Sequence, residues 1–188
     1  MAYTAVPSLV QIMDQGLRTG TAARAQGMFV ETFTRAETGL IQTLTGGTIY
    51  FVAIPLLAGD VATNMSITFP IAGTAMTLSK VGLYDSSGNR LAISADQGAA
   101  WAVAGTYTVP FITPYRAGAA GLYYLAVVAN GGVLPNIARL NTLTTATLQA
   151  VAIGSGALPM GTLTGQTDLP ATAAITAGIP IGYWAGLS

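Results

Sequence analysis

Residues 80–97 constrain the fold more than any other stretch, because hydrophobic pattern, turn chemistry and strand register agree there. Val81 and Leu83 point to one side of a strand. Leu91 and Ile93 repeat the same two-residue period after a polar, glycine-containing loop. We therefore predict a β-hairpin in which Leu83 lies opposite Leu91 and Val81 lies opposite Ile93. A slip of one residue would turn the two apolar sets away from each other.

The polar residues of this hairpin fit a turn. In the predicted register Asp85 and Asn89 close a three-residue loop, residues 86–88. Gly88 can adopt the left-handed conformation that such a loop needs, and the Asp85 carboxylate can accept backbone N–H groups two residues on. A calcium loop is the alternative. No acidic residue follows at the loop end to give a bidentate ligand, so we interpret the stretch as a turn and assign no metal site.

Charged residues are scarce along the whole chain. They make up 7% of its 188 residues, whereas 52% are hydrophobic and the formal net charge is zero; about a quarter of an average protein is charged. Such a surface has little electrostatic protection against association, so we expect copies of the chain, as a trimer or larger homo-oligomer, or other partners to cover it. The scattered basic residues form no stripe for phosphates, so we expect no nucleic-acid binding.

Histidine and cysteine are both absent. The chain therefore lacks the commonest general base, the commonest metal ligand and any thiolate nucleophile. Seven scattered acidic residues do not identify a catalytic carboxylate pair. We predict a protein that is not an enzyme, with no catalytic residue and no cofactor. Since the longest apolar run, residues 117–129, is too short to span a bilayer, we also expect no membrane insertion.

The rest of the sequence predicts about eight strands separated by Gly, Pro and Asp turns. Two of them, residues 47–57 and 121–129, are continuously apolar and should be covered on both faces. Residues 61–69 and 106–112 alternate, which is typical of half-exposed strands, and Pro110 favours a sheet edge. We predict an all-β fold, an antiparallel, jelly-roll-like β-sandwich formed by residues 28–132.

The two ends differ in character from this sandwich. Residues 1–27 predict an N-terminal arm with a short helix, whose apolar side chains would bind neighbouring subunits. These assembly residues are Leu9, Ile12, Met13 and Leu17. Residues 133–188 predict an extended C-terminal segment laid on the sandwich or on a neighbour, with a short terminal strand at residues 179–184.

Trp101 is the best single candidate for a ligand contact. It follows a loop rich in small residues and could, with a tyrosine, form a platform for a sugar ring. Tyr123 and Tyr124 point to opposite faces of their strand, so at most one of them can belong to such a platform. Packing in the core is the better interpretation of both tyrosines.

Several distinctive segments occur in order along the chain. They are IPLLAGD (54–60), GLYDSSGNRLAISADQ (82–97), the tryptophan at 101, a strand followed by TPY (113–115), AGLYYLAVV (120–128) and GIPIGYW (178–184). In these segments the chain resembles a group of small virion proteins of tailed phages that infect actinobacteria, and the resemblance covers about residues 28–132 and the last dozen residues. It departs from the group at Val81-Gly82, where an aromatic residue commonly precedes the Leu-Tyr-Asp segment.

The resemblance implies a structural component of a phage particle, assembled in the host cytoplasm. We expect a capsid decoration or minor capsid protein whose arms bind major capsid or tail subunits. The alternative is a tail or fibre protein whose sandwich binds a host-surface glycan through Trp101.

Overall fold

The computed structural model is built almost entirely from antiparallel β-strands. It describes residues 27–33, 35, 38–140, 160–176 and 182–188. Within that part of the chain there is no helix long and apolar enough to cross a membrane. The strands are β1 Val30–Glu31, β2 Thr38–Thr43, β3 Ile49–Leu56, β4 Val61–Phe69, β5 Thr74–Tyr84, β6 Arg90–Ile93, β7 Gly105–Arg116, β8 Gly121–Val133, β9 Asn136–Leu140, β10 Met160–Leu163 and β11 Ala185–Leu187.

Two sheets pack face to face. The first has the order β1-β11-β4-β7, the second has the order β10-β3-β8-β5-β6, and β2 pairs with β9 as a separate ribbon. The alternating strand β4 turns Met65, Ile67 and Phe69 into the space between the sheets, where all three are fully buried. The predicted antiparallel β-sandwich is therefore confirmed, as is the position of Pro110 on an edge strand, β7.

The outer face of the second sheet is apolar too, and the chain covers it with its own residues. We call residues 164–176 the strap. Leu169 and Ala173 of the strap pack on a cluster that includes Phe51 and Tyr84. An ion pair between Lys80 Nζ and Asp168, 2.6 Å long, and backbone bonds at both ends hold the strap on the sheet. This cover explains why β3 and β8 are apolar at consecutive positions.

The last strand of the chain lies inside a sheet. Between β1 and β4, β11 places Leu187 opposite Val30 on one side and Met65 on the other. Of the terminal strand predicted at 179–184, residues 179–181 lie outside the described residues. In the rest of that range Tyr183 forms an isolated bridge with Arg139, and β11 begins at Ala185. Because β9, β10 and β11 all belong to sheets, residue 132 is not a boundary of the folded unit.

Two buried aromatic residues before β11 hold it in place. The Tyr183 hydroxyl donates to the Leu125 carbonyl at 2.6 Å, with the Tyr50 carbonyl at 3.2 Å. The Trp184 indole N–H donates to the Glu31 carboxylate at 2.9 Å. Both rings are fully buried, and burial raises the pKa of Tyr183. The two bonds satisfy polar atoms that would be costly to bury alone.

The hairpin loop has the predicted turn. Asp85 N–H donates to the Asn89 carbonyl at 2.9 Å, and Gly88 N–H donates to the Asp85 carbonyl at 3.0 Å. Gly88 is left-handed, with φ of +83°. Beyond the loop, Tyr84 lies opposite Arg90.

The predicted strand register of this hairpin was wrong. A β-bulge follows the Tyr84 pair, so Leu83 lies opposite Ala92 rather than Leu91, and Ile93 lies opposite Gly82 rather than Val81. Leu91 then packs against the core between the sheets, whereas Ile93 packs against the cluster under the strap. Because both faces of β6 contact apolar surface, alternation does not decide which face each residue takes.

Two strands run past residues that often end a strand. β8 continues through Gly131 and Gly132 to Val133 and pairs with the first half of β5. Pro55 lies within β3, where it is paired with Leu122 on one side and lies beyond the residues that pair with β10 on the other.

The bond between Trp184 and Glu31 can be tested by a double-mutant cycle. We expect Trp184→Phe to lower the free energy of unfolding by about 1 to 3 kcal/mol, because the buried carboxylate loses a donor. The double variant Trp184→Phe with Glu31→Met should lose less than the sum of the single variants, measured by urea unfolding. If the loss in the double variant equals the sum of the two single losses, a direct bond is contradicted. Ile112→Ala, on the exposed surface, is the control.

Gly88 has a second role in holding the strap. Its carbonyl accepts from Ala173 N–H at 2.8 Å, and a Cβ at Gly88 would overlap the Ala173 carbonyl oxygen. We expect Gly88→Ala to cost more than the roughly 1 to 2 kcal/mol of a left-handed alanine. Gly165→Ala is the matched control, since it is left-handed with no atom within 4 Å of an added Cβ. Equal losses in urea unfolding would mean that the strap does not depend on Gly88.

Candidate functional site

The assembly residues predicted in the N-terminal arm, Leu9, Ile12, Met13 and Leu17, lie outside the described residues. The described residues nevertheless form two surface features, one at each end of β5. Since β5 has 11 residues, its two ends are separated by about 35 Å. Residues of the predicted hairpin lie at one end and those around Trp101 at the other.

Trp101 does not offer a ligand contact. Its side chain is fully buried, and its ring packs on Phe69 with 4.4 Å between the ring centroids. The Trp101 carbonyl accepts from Gly73 N–H at 3.0 Å. The 3-10 turn Ala100–Ala102 places the indole over the end of the core, so the prediction of an exposed aromatic residue was wrong. An indole has a large apolar surface, and burying it stabilises the fold more than exposing it would.

Three exposed apolar side chains belong to the chain segments that meet near Trp101 and Gly73. Ile71, Val103 and Val133 are 49%, 65% and 59% exposed. All three residues are near Gly73. Ile71 precedes Gly73 by two residues, and Val103 follows Trp101, whose carbonyl binds Gly73, by two residues. A Cβ added to Gly73 would lie 3.0 Å from the Val133 carbonyl oxygen. We call these three residues the apolar end. Exposed aliphatic side chains gathered in one place are typical of surfaces that bind other proteins.

The opposite end carries a pocket with a different chemistry. Its volume is about 380 Å³, and it lies between the hairpin loop and the turn that joins β7 to β8. Asp85 and Ser86 line one side, Tyr115 and Tyr123 another, and residues 118–122 complete the wall. The two tyrosine rings are 6.1 Å apart and inclined by 56°.

Hydrogen bonds within the loop orient the Asp85 carboxylate. Oδ1 accepts the backbone N–H groups of Ser87 at 2.9 Å and Asn89 at 2.8 Å, and Oδ2 accepts the Asn89 side-chain amide at 2.9 Å. Partial burial acts to raise the pKa of Asp85, but these bonds outweigh it and lower the pKa below its ordinary value of 3.8. The carboxylate is therefore ionised at neutral pH.

Tyr123 of the pocket is held neutral. Burial, followed by the hydrogen bond with Tyr115, raises the pKa of Tyr123, and the charge of Asp85 raises it further. The Tyr123 hydroxyl donates to the Ala119 carbonyl at 2.9 Å, which fixes the turn beside the rings. The pocket thus combines one anionic group with two aromatic rings.

The described part of the chain contains no cluster of typical metal ligands. Over residues 27–33, 35, 38–140, 160–176 and 182–188, no three His, Cys, Asp or Glu side chains come together in a way that could hold an ion. The hairpin residues Leu83 and Leu91 serve the core, while Asp85, Gly88 and Asn89 form the turn. Sequence reasoning missed Tyr115 and the turn at 118–121, since only the fold brings them beside Asp85.

The low pKa of Asp85 predicts a pH-dependent contribution to stability. A carboxyl whose pKa is lower in the folded state stabilises the fold above its unfolded pKa, and this contribution disappears as the pH falls through the folded pKa. We expect the stability difference between the wild type and Asp85→Asn to be constant near neutral pH and to shrink below pH 3.8. Urea unfolding at a series of pH values measures it, and a difference that does not change with pH would contradict the assignment.

A comparison with models of known protein families found none that matches the chain, and a comparison with curated proteins found no significant match.

Proposed function

We propose that this chain is a structural protein of a phage particle, without enzymatic activity, that binds neighbouring virion subunits on the capsid as a decoration or minor capsid protein. The observation that supports the proposal best is the apolar end, on a chain that has very few charges. Ile71, Val103 and Val133 are each about half or more exposed, and only 7% of the residues are charged.

Physical chemistry connects these features to assembly. Stable protein–protein interfaces bury apolar side chains at their centre and have few charged groups there. The apolar end provides such a centre on a rigid sandwich, and the apolar arm residues predicted at Leu9, Ile12, Met13 and Leu17 would enlarge the buried area. Association of this kind depends on shape and apolar burial, with little electrostatic steering.

The partners proposed are major capsid or tail subunits and further copies of the chain, in a trimer or larger homo-oligomer. The resemblance of segments such as GLYDSSGNRLAISADQ and AGLYYLAVV to virion proteins supports this choice of partners. The balanced, scattered charges support neither nucleic acid nor an anionic membrane as a partner. The proposed location is the virion, after assembly in the host cytoplasm.

The alternative of a tail or fibre protein that binds a host glycan depended on Trp101. Because that indole is fully buried, the alternative loses its proposed ligand contact. We therefore propose a position on the phage head in preference to one on the tail.

Purified virions provide the decisive experiment. We expect quantitative mass spectrometry and labelled antibody in electron micrographs to find many copies of the chain on the head. A few copies at a single vertex would instead indicate a tail position, and the absence of the chain from purified particles would overturn the proposal.

Substitution at the apolar end tests how the chain attaches. We expect the triple variant Ile71→Ser, Val103→Ser, Val133→Ser to keep its fold, since all three side chains are exposed, and to join particles poorly. Ile112→Ser is the matched control, because Ile112 is 68% exposed on β7, away from the apolar end. Deletion of residues 1–26 should also leave a folded sandwich that joins particles poorly. Normal incorporation of both variants would exclude these attachment surfaces.

A further inference from the structure

The pocket beside the hairpin loop contains a charged side chain, although the protein has few charges. Asp85 carries the only formal charge among its lining residues, all of which the structure describes. The donors that bind the carboxylate belong to residues of its own loop and are neutral. The charge of Asp85 is therefore oriented but not neutralised by them.

The carboxylate retains capacity for another donor. Asp85 Oδ1 accepts two hydrogen bonds and Oδ2 accepts one, whereas an ionised carboxylate can accept about four. One acceptor position on Oδ2 thus remains for a ligand. A charge-assisted bond to that oxygen would be stronger than a bond between neutral groups.

The rings of Tyr115 and Tyr123 add a second attraction for positive charge. They line the same pocket as Asp85, 6.1 Å apart and inclined. The face of an aromatic ring carries partial negative charge and attracts an ammonium or guanidinium group within about 6 Å. The carboxylate and the rings therefore favour the same kind of ligand.

The size of the pocket limits that ligand to a small group. Its volume of about 380 Å³ lies near the lower end of the range for ligand pockets. Gly118 and Gly121 line the pocket, and an added Cβ at either would meet no atom within 4 Å. The turn therefore leaves room beside the carboxylate.

From these observations we propose that the pocket formed by Asp85, Ser86, Tyr115, Tyr123 and the turn at 118–121 binds an organic cation, a guanidinium or a primary ammonium group. The carboxylate accepts the N–H donors of the cation, and the tyrosine rings contact its carbon stem and charge. The source of the group is either a basic side chain of another protein or a free small amine. A neutral sugar, which would use the same rings without needing the charge, is the competing ligand.

Titration of the full chain with arginine amide whose α-amino group is acetylated, followed by NMR of the backbone and tyrosine ring signals, tests the proposal. We expect saturable shifts at the pocket residues that weaken as salt is added. Citrulline amide, acetylated in the same way, has a similar shape without any charge and should bind at least about tenfold more weakly, as expected for the loss of a charge-assisted bond. Equal binding of the two compounds, no binding of arginine amide, or shifts caused only by methyl glycosides would overturn the proposal.

Variants separate the pocket from the rest of the surface. Asp85→Asn should weaken arginine amide binding at least about tenfold, and Gly118→Leu should block the pocket without touching the loop bonds. Asp96→Asn is the matched control, because Asp96 also accepts backbone N–H groups, from Ser79 and Gly98, but lies away from the pocket. Unchanged binding in both Asp85→Asn and Gly118→Leu would overturn the assignment, even if one of them folded poorly.

Two further ligands distinguish the sources of the cation. A capped tripeptide with a central arginine presents the group as a protein would, and putrescine presents it as a free amine. Tighter binding of the tripeptide supports a basic side chain of a partner, and tighter binding of putrescine supports a small metabolite. None of these measurements requires virions, so their outcome is independent of the proposed structural role.

Discussion

The bond between the Trp184 indole and the Glu31 carboxylate joins residues 153 positions apart, and the first sheet depends on it. Beside this bond, β11 lies between β1 and β4, so the two ends of the described chain complete one sheet together. Contacts of such long sequence separation are slow to form, because the loop must close before they add stability. The C-terminal residues Tyr183, Trp184 and Leu187 are therefore part of the core.

The sequence was sufficient to predict the fold class, because period-two alternation at Met65, Ile67 and Phe69 is a local property that survives in the structure. It was not sufficient to predict the register of β6. The strap covers the outer face of the second sheet, so Leu91 and Ile93 are both packed although they face different clusters. Alternation of apolar and polar residues identifies the inward face of a strand only when the other face is exposed to solvent. When a distant segment covers that other face, alternation no longer identifies the register.

The surfaces proposed to act in binding were harder to predict than the strands. Trp101 looked suitable for a ligand because its neighbours are small, but those neighbours let the 3-10 turn bring the ring onto Phe69. Tyr115 and Asp85 are 30 positions apart in the sequence and meet only through the fold. Sequence identified the polar turn and its glycine, whereas the pocket beside it required the three-dimensional placement of β7 and β8.

The strap has a consequence for the shape of contacts around the molecule. The strap covers the broad outer face of the second sheet with residues of the same chain. The two surfaces proposed to bind therefore lie at the ends of the sandwich, and they differ in chemistry. One end presents aliphatic side chains, Ile71, Val103 and Val133, and the other presents the ionised Asp85 between tyrosine rings. Copies of the chain attached through the proposed apolar end would therefore all expose the Asp85 pocket on the side away from the attachment.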